Sequence, residues 1–72
     1  MKIEFAKKSV EMEIEWKEEE LKKEIEQVNR FQIVNTYDVE TMISLCQRVT
    51  FVRTQYEELK RKLQMLEAIE IG

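Results

Sequence analysis

Residues 10–16 read Val-Glu-Met-Glu-Ile-Glu-Trp, "VEMEIEW", with an apolar side chain at every second position. Taken by itself this is the period of a half-buried strand, apolar on one face and acidic on the other. Wound into a helix, the same residues put apolar groups on two opposite sides. A strand here needs a partner, and the nearest candidate is Ile3-Glu4-Phe5, reached through Ala6-Lys7-Lys8-Ser9. That connection holds none of the turn formers Gly, Asn, Asp or Pro, and a lone two-stranded hairpin is barely stable in water. The flanking charges favour helix. Glu4/Lys8, Glu13/Lys17, Glu18/Lys22, Glu19/Lys23 and Glu26/Arg30 each place the acid four residues before the base. Such a pair contributes about 0.2–0.5 kcal/mol to a helix in this orientation. Glu and Lys also prefer helix to strand. A helix is therefore expected from about residue 2 to about residue 30, with Ile3, Val10, Ile14, Leu21, Ile25 and Val28 along one side.

Working outward, the only stretch with turn chemistry is Phe31-Gln32-Ile33-Val34-Asn35-Thr36-Tyr37-Asp38, since proline is absent and the single glycine is Gly72. Two caps suit a following helix. With Asn35 as N-cap, Val34 and Val39 form a hydrophobic staple and Asp38 occupies N3. With Asp38 as N-cap, Tyr37 and Met42 form the staple instead. The second helix is predicted over about 38–69. Its apolar residues Met42, Leu45, Val49, Val52, Tyr56, Leu59, Leu63 and Leu66 recur in steps of three and four, an unbroken heptad seam.

A connection of about 31–37 makes the two helices antiparallel neighbours. The expected pairing sets Val28 against Met42, Leu21 against Val49, Ile14 against Tyr56 and Ile3 against Leu66. Glu11 and Glu13 then lie level with Lys60, Arg61 and Lys62. The fold class is all-α: one helical-hairpin domain over residues 1–72, dimerising into a four-helix bundle. The dimer is expected because 72 residues bury little surface and one cysteine allows no internal disulfide.

The seam leaves apolar residues over. Phe5, Met12 and Trp16 lie almost opposite the Ile14/Leu21 stripe, and Phe51, Met65 and Ile69 lie off the seam of the second helix. Exposed together they exceed what a monomer normally shows. The first expectation is that they become homodimer core. The second is that they dock a different protein with Trp16 as anchor, because Trp is enriched among interface hot spots. Both hold if the dimer leaves part of the patch open.

Several function classes are disfavoured. The chain lacks histidine, the commonest zinc ligand and the usual base near neutral pH. Glu15-x-x-Glu18 and Glu67-x-x-Glu70 have a magnesium-holding spacing, but fourteen glutamates generate such pairs by chance. No enzyme activity, cofactor or metal is expected. Cys46, at an e position beside the seam, is expected to be a buried, inert thiol, with a disulfide across the dimer only if e positions face each other. Arg48, Arg53, Lys60, Arg61 and Lys62 would carry a nucleic-acid role, but Glu57 and Glu58 interrupt them and the net charge is −3. No membrane-spanning stretch or signal peptide is visible, Met1 suggests a complete reading frame, and a cytoplasmic location is the default. The expected function is a small non-enzymatic interaction module (regulator, adaptor or chaperone-like) that binds itself and another protein through helix packing. Two further readings are a nucleic-acid-binding hairpin dimer, and an acidic inhibitor of phage or plasmid type that occupies a basic site on a host protein.

Overall fold

The computed structural model describes residues 2–71. Helix α1 runs Lys2–Arg30 and helix α2 runs Thr36–Ile71, and no strand occurs among the described residues. The alternating stretch 10–16 is thus helical, inside a helix of 29 residues. Helix α2, of 36 residues, starts and ends two residues outside the expected 38–69. At 1.5 Å per residue the helices are about 44 and 54 Å long. The molecule measures 56 × 15 × 13 Å, so the two lie side by side. They run antiparallel. Lys7 meets Glu70 at the open end, and Glu24 meets Arg48 toward the loop. No helix among the described residues is long and apolar enough to cross a membrane.

The connection shows why α2 begins where it does. The Asn35 side-chain Oδ1 accepts the backbone N–H groups of Tyr37 (3.0 Å) and Asp38 (3.3 Å). Asp38 Oδ2 reaches back and accepts from Val34 (2.8 Å) and Asn35 (3.1 Å). This reciprocal arrangement satisfies helix-terminal donors that would otherwise have no partner, so Asn35 is the N-cap and Asp38 sits at N3. The staple that accompanies such a cap stays open, because Val34 is 83 % exposed. At the other side of the loop, Phe31 N–H still donates to the carbonyls of Gln27 and Val28, which extends the bonding of α1 by one residue.

Burial recurs along α1 and into the residue after it at Ile3, Lys7, Val10, Ile14, Lys17, Leu21, Glu24, Val28 and Phe31, alternating steps of four and three, with Ala6 half-buried beside Lys7. Three of these nine positions carry charged side chains. Ile25, expected on the seam, is 41 % exposed, while its neighbour Glu24 is 7 % exposed. The heptad frame puts residue 24 at the contact, and polarity does not move it. On α2 the matching frame holds Met42, Leu45, Val49, Val52, Tyr56, Leu59, Leu63 and Leu66, all buried or half-buried. Only Val52 and Leu59 are buried apolar residues among those described. The register also differs from the expected one. Glu24 reaches Arg48 where that pairing puts residue 46, and Lys17 reaches Gln55 where it puts residue 53.

Two outcomes test this architecture. Leu59→Asp puts a carboxylate at one of the two buried apolar positions, and burying it unpaired outweighs the stability of so small a seam. Circular dichroism should show loss of the helical signal and of the cooperative melt; a normal melt would remove this seam from the structure. Asn35→Ala should lower stability by about 1 kcal/mol through loss of the cap, read as a shifted urea midpoint at unchanged slope.

Candidate protein-interaction surfaces

A two-helix seam has two open sides, and the sequence treats them differently. On one side Trp16 stands in a cleft with Glu13, Lys17 and Glu20 of α1 and Gln55, Glu58, Leu59 and Lys62 of α2. Its indole is 64 % exposed. The heptad explains this position: Trp16 directly precedes the seam residue Lys17, so it leans over the edge of the contact and not into it. Lys17 Nζ donates to Gln55 Oε1 at 2.7 Å and to Glu20 Oε2 at 3.2 Å, and it forms the floor of this cleft. Three glutamates and two lysines line the cleft, so its charge is mixed with a small acidic excess. Phe51 lies further toward the loop, in a cleft shared with Glu20, Glu24 and Arg48. Met65 and Ile69 lie toward the open end of α2, and Phe5 and Met12 lie on the outer face of α1. Phe5, Met12, Phe51, Met65 and Ile69 are all exposed.

Glu24 is the electrostatic anchor of this side. Its Oε1 accepts from Arg48 Nη2 at 2.8 Å. Its Oε2 is buried with no hydrogen-bond partner among the described residues. A buried carboxylate oxygen without a donor is destabilising, while Arg48, largely in water, keeps its own hydration. The other polar residues of the α1 seam also find partners. Lys7 bonds Glu70 at 3.2 Å, and this hydrogen bond, reinforced by the attraction of the same carboxylate, holds the ammonium above the ordinary lysine pKa. That contribution is present at every pH below the ordinary lysine value and is lost as pH rises through the elevated one. Both side chains reach water, so it is small.

The second side does not stand out in the hydrophobic pattern. Cys46, expected to be buried, is exposed. It lines one groove with Met42, Ile43, Gln47 and Thr50 and a second with Ile25, Val28, Val49 and Thr50. None of the described residues lining these two grooves is charged. The signal lies in the sequence: residues 41–47 form a run without charge, and Val39, Ile43, Cys46 and Thr50 repeat the four-three-four spacing one residue away from the seam. An e position flanking a two-helix seam is covered only by a further helix, and that is why Cys46 stays open in the single hairpin.

The carboxylates with metal-binding spacing are exposed, and two of the basic residues of α2 are paired within the chain. Glu15 and Glu18 are exposed, and Glu18 pairs with Lys22 at 3.8 Å. Among the described residues no three carboxylate or thiol groups converge as a metal requires. Arg48 is bound to Glu24, Arg53 to Glu57 at 3.3 Å, and Lys60 Nζ stands 4.7 Å from the Tyr56 ring centroid.

The chain matches no known protein family, curated protein or solved structure. The surfaces themselves carry the functional argument.

Glu24→Leu removes the unsatisfied oxygen and puts an apolar side chain at the most buried position of the α1 seam, so it should raise the melting temperature, by about 1–2 kcal/mol in free energy. Arg48→Ala should act in the opposite direction, because it leaves the carboxylate buried and unpaired. Melting both variants beside the parent chain checks the pair of signs.

Proposed function

We propose that this chain is a non-enzymatic protein–protein interaction module, adaptor-, regulator- or chaperone-like, which acts as a cytoplasmic homodimer in the form of a four-helix bundle and docks another protein through helix packing on the side that carries Trp16. The observation that carries this reading is the exposure of Trp16, together with that of Phe5, Met12, Met65 and Ile69, on a hairpin whose own seam leaves all five in water. An aromatic at 64 % exposure leaves apolar surface in water whose burial by a partner is favourable, and such residues concentrate the binding energy of interfaces. The charged groups around it, Glu13, Glu20 and Glu58 with Lys17 and Lys62, favour a partner whose apolar groove is rimmed by complementary charges.

The alternative, a nucleic-acid role, rests on Arg48, Arg53, Lys60, Arg61 and Lys62, interrupted by Glu57 and Glu58. Arg48 and Arg53 are bonded to carboxylates of the same chain, and a phosphate would have to displace these contacts.

The test is a pull-down with the tagged full chain and its Trp16→Ala variant. Since the indole is exposed, the variant should keep the parent's helical signal and melt within about 0.5 kcal/mol. Proteins retained by the parent should be lost, with affinity for any purified partner weakened by about 2 kcal/mol or more, roughly thirtyfold in Kd. Equal retention of the same proteins by both chains rules out the Trp16 face as the docking site.

A further inference from the structure

We infer that the second copy of this chain packs on the uncharged side, along Val39, Ile43, Cys46 and Thr50 with Ile25 beside them, so that the Trp16 side remains outside the dimer. This deepens the reading above and rests on its homodimer.

Three observations meet on this strip. The first is charge. A two-fold contact sets the same surface against itself, so any charge in it faces its own kind or a close neighbour. The chain is 38 % charged, yet the two grooves on either side of Cys46 have no charged residue among their described lining. The Trp16 cleft is lined by Glu13, Glu20 and Glu58 beside Lys17 and Lys62, so pairing it with itself would bury five charged groups. The uncharged side suits a copy, and the charged side suits a different molecule.

The second is polarity within the strip. Thr50 lies on the strip itself, and its hydroxyl already donates to the Cys46 carbonyl at 3.1 Å, while the Gln47 amide stands beside the strip, exposed to water. A hydroxyl bonded inside its own helix can be covered without losing a partner. The thiol of Cys46 behaves as a small hydrophobe. Val39, Ile43 and Ile25 are between 41 % and 52 % exposed, so each has surface left to bury.

The third is register. Val39, Ile43, Cys46 and Thr50 advance by four, three and four, which is the spacing of a helix–helix seam. An antiparallel pairing of two α2 helices closes on this spacing without remainder. Val39 faces the partner's Thr50 and Ile43 faces the partner's Cys46, with the two-fold axis between Ile43 and Cys46. Arg53, the next residue of the stripe, comes level with the partner's Thr36 at the start of its helix. Arg53 is the first charge on the stripe itself, while Glu40 and Arg48 fall within its length at neighbouring helix positions. Covering this strip also covers the open flank of Met42 and Val49, both only half-buried in the single hairpin.

The chain carries one cysteine and one tryptophan, and they lie on opposite sides of the hairpin, so the unmodified protein contains a probe for each. Sedimentation equilibrium of the full chain over a dilution series locates the dimer. Across that transition the rate at which dithionitrobenzoate labels Cys46 should fall severalfold as the dimer forms, while the Trp16 emission maximum stays at its water-exposed position. Ile43→Arg should lose the dimer and keep the helical signal, because residue 43 is half-exposed in the hairpin; Thr50→Arg gives the same result should that variant fail to fold. Trp16→Arg should remain dimeric. A parent chain that is monomeric at all concentrations overturns the inference. So does a dimer in which Cys46 labels as fast as in the monomer, or one whose formation shifts Trp16 emission to the blue. Each of these leaves the partner pull-down as a separate measurement, so failure of the dimer face and failure of the docking face are told apart.

Discussion

Two helices meet along a line, and a line cannot enclose a core. Every residue on the seam of this hairpin is covered from the front by the other helix and left open toward one flank. This is why only Val52 and Leu59 reach the buried class among the apolar residues described, although the frame of α2 is apolar from Met42 to Leu66. The remaining features answer that constraint. Charged side chains are tolerated at three seam positions of α1 because each can reach a polar partner or water at the flank. The cap at Asn35 and Asp38 matters because a fold with so little burial gains a large fraction of its stability from one helix terminus.

The polar seam residues also bear on specificity. Lys17 with Gln55 and Glu24 with Arg48 are the two contacts that cross between helices in the middle of the hairpin. A purely apolar seam slides by a heptad with little change in buried area, whereas a slide would separate both of these pairs. Polar residues at such positions commonly trade stability for a defined register. The buried and unsatisfied Oε2 of Glu24 is the local sign of that exchange here.

The two flanks are chemically unlike, and the difference originates in a few positions. Toward the loop, one flank carries Ile43, Cys46 and Thr50 and has no charge among its described lining. The other flank carries Trp16 amid glutamates and lysines. Much of this is legible in the sequence. The heptad from Met42 to Leu66, the helical character of residues 10–16 and the exposure of Phe5, Met12 and Trp16 all follow from spacing and charge pairing. Hydrophobicity alone puts Ile25 on the seam and Glu24 off it, and the heptad frame reverses the two. The e position of Cys46 borders the seam and so suggests burial, but a lone pair of helices leaves that border open, and the uncharged strip around the thiol is legible only as a gap in the charge pattern.

Local sequence by itself determined that there are two helices and where the chain turns, because helix periodicity, i,i+4 charge pairs and an Asn–Asp cap act within a few residues of one another. It also determined which stripe of α2 faces inward, since that stripe has no polar competitor. Tertiary structure decided the register, the exchange of Ile25 for Glu24 at the contact and the pairing of Lys17 across the seam. Those depend on what the opposite helix offers at a given level: Arg48 for one and Gln55 for the other. A side chain's burial is a property of two surfaces brought together, and periodicity along one helix describes only one of them.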